Sequence, residues 1–207
     1  MRLLIGFRKF REKYFLNEDS IYRKQLHNGQ TPKTLIIGCC DSRVDPALIS
    51  SASPGDLFVI RNVANLVPPF EDKGGLHGVS SAIEFAIVNL KVENVVILGH
   101  RQCGGIRALM TGFENPSPSF IKGWMSIASE ARETVLAQYG QESLDSQCSH
   151  CEMESIRISL RNLRSFPFVQ QAIKDRNLNI VGTYFDLEEG KLWEYDETKN
   201  IFFQLEA

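Results

Sequence analysis

The sequence predicts an α/β fold with a central, mainly parallel β-sheet, flanking helices and an antiparallel edge strand. Two observations predict it. Short β-branched apolar runs, bounded by polar or turn residues, read as buried strands, and segments with a helical apolar period lie between them. In chain order, MRLLIGFRKFREKYF carries Arg8, Lys9 and Arg11 within an otherwise apolar stretch. It reads as an amphipathic helix, the start of an arm over residues 1–27. TLIIG ending at Gly38, LFVI ending at Ile60, VVILG ending at Gly99 and LNIVGTYF ending at Phe185 are too continuous for strands with one wet face, so they suit a parallel sheet covered on both sides. VSSAIEFAIVNL after Gly78 and GWMSIASEARETVLAQY read as helices, as does MESIRISLRNL, where Ile156, Leu160 and Leu163 share one face. TGFENPSPSF, from Thr111 to Phe120, reads as a loop. KLWEY, close behind LNIVGTYFDLEEG, is expected to add a hairpin strand at the sheet edge.

The 207 residues suit a single domain over 1–207. With 23 basic and 25 acidic side chains the formal charge is -2, which removes the case for a nucleic-acid binder working through a broad basic surface. No apolar run approaches the roughly 18 to 20 residues that span a bilayer, and no cleavage pattern follows the first helix, so no membrane partner is expected. Five cysteines are an odd number in a chain too long to need disulfide staples. Free thiols and a cytoplasmic location are the expectation.

Two motifs stand at strand ends. The first strand runs into GCCDSR, which supplies Cys39, Cys40, Asp41 and Arg43; the third runs into GHRQCGG, which supplies His100, Cys103, Gly104 and Gly105. In open α/β sheets ligands collect at the carboxyl ends of strands, so both clusters can converge on one pocket. Cys39, His100 and Cys103 make a borderline-soft set that suits zinc, and three protein ligands leave a fourth tetrahedral position open, as catalytic zinc requires. Taken singly, a strand-end cysteine reads as a small buried hydrophobe and a lone histidine as a satisfied polar side chain. The combination after two buried strands is what points to a metal.

GCCDSRVDP, PGDLFVIRNVANLVPPF, AIEFAIVNLKVENVVILGHRQCGG and QCSHCEMESI together resemble the β-class carbonic anhydrases, their plant-type branch more than the gated bacterial branch. The resemblance implies one Zn2+ per chain on Cys39, His100 and Cys103, an Asp41–Arg43 dyad beside it, and a homodimer or dimer-based higher oligomer. The implied activity is the lyase reaction that interconverts carbon dioxide and bicarbonate by attack of zinc-bound hydroxide. Asp41, as an acceptor-only carboxylate, would orient that hydroxide, and Arg43 would hold Asp41 through a two-pronged contact. Two thiolates cancel the charge of the metal, so activity is expected to rise with pH. Phe58, Val63 and Phe85 would line the pocket for CO2, an amide at Gly104 or Gly105 would help, and Gln30 would reach across the dimer interface. Phe85 departs from the pattern, standing where the branch carries a tyrosine. Arg61 matches the arginine of the bicarbonate site of the gated branch, but Ile36 replaces its tryptophan and Phe185 falls at its tyrosine. An open site without bicarbonate-driven closure is therefore expected.

Other readings stay open. The same scaffold could hydrolyse COS or CS2, or be a non-catalytic zinc-stabilised binding protein, though the latter would not need the Asp41–Arg43 dyad. Thiol redox chemistry is disfavoured because Cys39 and Cys103 are not a CxxC pair. Cys148 and Cys151 bracket His150 in a lone CSHC that reads as structural. Cys40, alternating with Cys39, reads as a buried free thiol. His27, His77 and His150 are candidate proton shuttles among which the sequence does not choose.

Overall fold

Six strands form one sheet in the order β2-β1-β3-β4-β5-β6. They are β1 (Thr34–Cys39), β2 (Leu57–Asn62), β3 (Asn94–His100), β4 (Asn179–Asp186), β5 (Lys191–Asp196) and β6 (Ile201–Gln204). The computed structural model describes the chain except residues 1, 17–21, 23, 24, 27, 28, 73, 74, 114–119 and 207. The first four strands in the order are parallel and the last two join antiparallel. KLWEY is thus not the edge: β5 pairs with β4 on one side and with β6 on the other. β6, IFFQ, is only four residues long and carries no alternation that would mark it in the sequence.

The helices are α1 (Arg2–Phe15), the single turn α2 (Pro46–Ile49), α3 (Gly78–Glu84), α4 (Gly104–Thr111), α5 (Phe120–Met125), α6 (Ser129–Tyr139), α7 (Leu144–Arg164) and α8 (Pro167–Arg176). Two readings change. VSSAIEFAIVNL is α-helical only to Glu84 and then passes through a π-helical turn, Phe85–Asn89. GWMSIASEARETVLAQY is not one helix, because the 3-10 turn Ser126–Ala128 separates α5 from α6. α1 buries none of its residues, and Leu3, Leu4, Ile5 and Phe7 are exposed. No helix among the described residues is long and apolar enough to cross a membrane.

α7 is the organising helix. Ser143 caps its start by accepting from Ser146 N–H, and Ile156 and Leu160 lie flat on the sheet. That approach depends on Gly99 and Gly182: a Cβ at Gly99 would stand 2.5 Å from Ile156 Cδ1, and one at Gly182 would stand 2.8 Å from both Ile156 and Leu160. Apolar side chains gather in two clusters. Leu35, Ile37, Val95, Ile97 and Ile156 belong to the first, and Val44, Leu66, Ile106 and Met125 belong to the second, together with Cys39 and Cys103. Both cysteines thus end buried among apolar side chains.

Candidate metal centre

β1 and β3 are neighbours, and their register sets Gly38 against Leu98. Cys39 and His100, the last residues of the two strands, therefore leave the sheet side by side. The chain then turns through Arg101 and Gln102, the latter in the left-handed region at φ 59, and delivers Cys103 as the residue before α4. Cys39 Sγ and Cys103 Sγ stand 4.0 Å apart, and the donor atoms of Cys39, His100 and Cys103 all lie within 4.8 Å of one another. Among the described residues this is the group that could hold a metal ion.

The donor set fits zinc. Two sulfurs bonded at about 2.3 Å to a tetrahedral ion would stand about 3.8 Å apart, close to the separation seen. His100 is 1% exposed; its Nδ1 faces the carbonyl of Arg101 at 2.8 Å, which leaves Nε2 for a metal, and that buried Nε2 has no protein partner. Cys39 Sγ is pulled down in pKa by the Cys103 thiol first, then by His100 and the amides of Asp41 and Ala64, each 3.4 Å away. Cys103 is held up by the same partnership and by burial. The Ala64 amide reaches the sulfur because Ala64 is itself left-handed, at φ 63, a conformation that costs a residue with a Cβ about 1 kcal/mol or more.

Beside the cluster, Arg43 grips Asp41 from two sides, Nε to Oδ1 at 2.9 Å and Nη2 to Oδ2 at 2.7 Å, while the Arg43 amide donates to Oδ1 as well. These contacts hold the Asp41 carboxyl well below the usual carboxylate range. Arg43 also donates to the carbonyl and side-chain oxygens of Gln102, tying the two ligand loops together. Arg61 secures the first loop from beneath: Nε donates to the Cys39 carbonyl, Nη2 to the Asp41 carbonyl and Nη1 to Asp45. Ile36 is buried and Phe185 half-buried.

A family model described as carbonic anhydrase matches residues 34–192, a span that contains every side chain of this cluster. The chain belongs to the β-carbonic anhydrases. It is 38% identical over 200 residues to "Beta carbonic anhydrase 3" of Arabidopsis thaliana, covering 94% of this chain and 77% of that protein. Among solved structures, the β-carbonic anhydrase CcaA superposes with a TM-score of 0.90 at 32% identity, covering 100% of this chain and 92% of that one. CafA of Aspergillus fumigatus gives 0.83 at 29% identity, over 94% and 89% of the two chains. The β-carbonic anhydrase of Coccomyxa, solved with acetazolamide, gives 0.80 at 28%, over 93% and 84%.

The other residues expected at the site divide. Val63 follows β2 directly and packs against Gly105, where an added Cβ would stand 2.6 Å from Val63 Cγ1. Gly104 opens onto free space. Phe58 pairs in register with Leu35, four residues before Cys39, so it lies about 13 Å down the strands from the cluster. It packs on Phe85 with ring centroids 6.0 Å apart, and Phe85 is 43% exposed. Gln30 is exposed ahead of β1. Phe58, and with it Phe85, stands away from this chain's own cysteines.

Cys40 is exposed, contrary to the expectation of a buried thiol. β1 ends at Cys39, so Cys40 lies beyond the strand and outside the buried sheet. Cys148 and Cys151 are both buried near the start of α7, and His150 between them stacks on Tyr139 with ring centroids 3.8 Å apart. His77 precedes α3 and stands 3.6 Å from Glu71, while His27 lies outside the described residues.

One buried group escaped the sequence reading. Glu152, in α7, is 2% exposed, and its carboxylate accepts from the Cys103 amide at 2.8 Å and from the Tyr184 hydroxyl at 2.9 Å. Burial pushes its pKa up to about 7 against the pull of those two bonds. The available signal was a Glu one residue past CSHC, on the face of an apolar helix expected to be buried.

Proposed function

We propose that this chain catalyses the reversible hydration of carbon dioxide to bicarbonate, with one zinc ion held by Cys39, His100 and Cys103. The observation that carries the reading is the convergence of these three buried ligands next to a carboxylate clamped by an arginine. Zinc in such a set would supply a Lewis acid that makes water a nucleophile near neutral pH. Asp41 stays ionised across the working range, so it acts as an acceptor and orders the attacking water with a lone pair toward the carbon. Arg43 keeps both carboxylate oxygens turned to its own guanidinium, which keeps Asp41 from becoming a further ligand. The apolar wall at Val63 suits a substrate without charge.

The assembly supported best is a homodimer. Exposed apolar side chains on α1 and at Phe85 and Val88 need a cover that the described residues of one chain do not supply. In a dimer, Gln30, Phe58 and Phe85 would serve the pocket of the neighbouring protomer. Stopped-flow CO2 hydration from about pH 6.5 to 9, with zinc content measured on the same sample, tests the reading. Activity that rises with pH and tracks zinc supports it; full activity in zinc-free protein would sink it.

A further inference from the structure

Cys103 is the N-cap residue of α4. In a capping box the amide of the N-cap residue is accepted by a Glu or Gln side chain at N3 of the same helix. Here N3 is Ile106, which has no acceptor. The Cys103 side chain is engaged elsewhere, its sulfur 4.0 Å from that of Cys39. The missing acceptor comes from another helix, 49 residues along the chain: Glu152 Oε1 takes the Cys103 N–H at 2.8 Å. The second oxygen, Oε2, takes the Tyr184 hydroxyl at 2.9 Å, and Tyr184 is 2% exposed on β4. Both oxygens are therefore engaged, and the carboxylate has one orientation.

The surroundings make a carboxylate expensive there. Cys151, Ser155 and Ile156, its neighbours on α7, are all buried, and an apolar side chain of similar volume would pack without desolvating a charge. The start of α4 offsets part of that cost, because a negative group is favoured at a helix N-terminus. What the carboxylate obtains is control over one backbone amide, and that amide belongs to a metal ligand.

We propose that Glu152 is a positioning residue for the metal centre, setting the backbone of Cys103 and through it the place of Sγ relative to Cys39 and His100, with Tyr184 locking the carboxylate. The inference rests on the metal reading above. It predicts that the ligand set loosens when the acceptor is lost, even where the fold survives.

The test is the rate at which zinc leaves the intact protein to a chromogenic chelator, together with the visible absorption spectrum of the cobalt-substituted protein. Glu152→Ala should release zinc about 10 to 100 times faster than wild type, with a shifted cobalt spectrum. Tyr184→Phe should move both readouts in the same direction by less, and it stands in for Glu152→Ala should that variant not fold. Glu152→Gln keeps an acceptor oxygen for the Cys103 amide and should stay within a few-fold of wild type. Wild-type release rates in Glu152→Ala or, if it does not fold, in Tyr184→Phe would overturn the inference while leaving the metal reading intact. Release from Glu152→Gln as fast as from Glu152→Ala would overturn it too, by showing that charge and not the acceptor matters. Wild-type protein that holds no zinc would overturn the metal reading and this inference with it.

Discussion

Two pairs of cysteines in this chain have the same burial and different chemistry. Cys39 and Cys103 are 64 residues apart in sequence, yet their sulfurs are 4.0 Å apart beside a histidine with an unpartnered nitrogen. Cys148 and Cys151 are three residues apart on α7 and enclose a histidine in sequence, yet His150 turns to Tyr139 and stands 3.4 Å from Glu142. Residues two apart on a helix do not share a face, so the CSHC spacing sends its histidine away from Cys148. The difference teaches that a metal set is made by strand ends that converge in space, and that compact spacing on one helix can leave the same residue types as packing.

Substitutions at the first pair should show the largest effect. Cys103→Ser or His100→Ala should lower CO2 hydration by on the order of a thousandfold and take zinc content toward zero, measured by stopped flow and metal analysis. Equal losses from Cys151→Ala would erase the contrast between the pairs. Arg43→Ala comes next: it frees Asp41 while leaving the metal ligands in place. A loss of about tenfold to a hundredfold in kcat/KM with zinc retained is expected.

At the second pair the effect should be on stability alone. Cys151→Ser places a hydroxyl in a fully buried position and should cost about 1 to 3 kcal/mol in urea unfolding, with zinc still at one per chain. Thiol labelling sharpens the comparison. Cys151 is fully buried and burial pushes its thiol up to about 12, so at pH 8 it should be alkylated far more slowly than exposed Cys40. Removing zinc with a chelator should expose two further labelling sites, Cys39 and Cys103, and leave the rate at Cys151 unchanged, as read by site-resolved mass spectrometry. The smallest effect belongs to exposed Cys40: Cys40→Ser should change stability by no more than about 0.5 kcal/mol.

Much of this was legible in the chain because it is local. TLIIG and VVILG read as buried strands from composition alone, and the residues that follow each strand are placed at its carboxyl end by the architecture. Cys40 was misread because alternation says which way a side chain turns and nothing about whether another layer covers it. IFFQ was missed because a four-residue edge strand is stabilised by its partner, β5, and not by its own pattern. Glu152 was missed for a related reason: its partners, the Cys103 amide and the Tyr184 hydroxyl, come from elements 49 and 32 residues away.

The amino-acid sequence by itself determined the α/β layering and picked out Cys39, His100 and Cys103 as candidate ligands, since residue chemistry and continuous apolar runs are properties of short segments. The tertiary structure decided the spacing of the two sulfurs, the clamp of Arg43 on Asp41 and its bridge to Gln102, the cap that Glu152 places on Cys103, and the exposure of Cys40. Each depends on contacts between segments distant in the chain, whose free energy is realised only when the sheet brings them together.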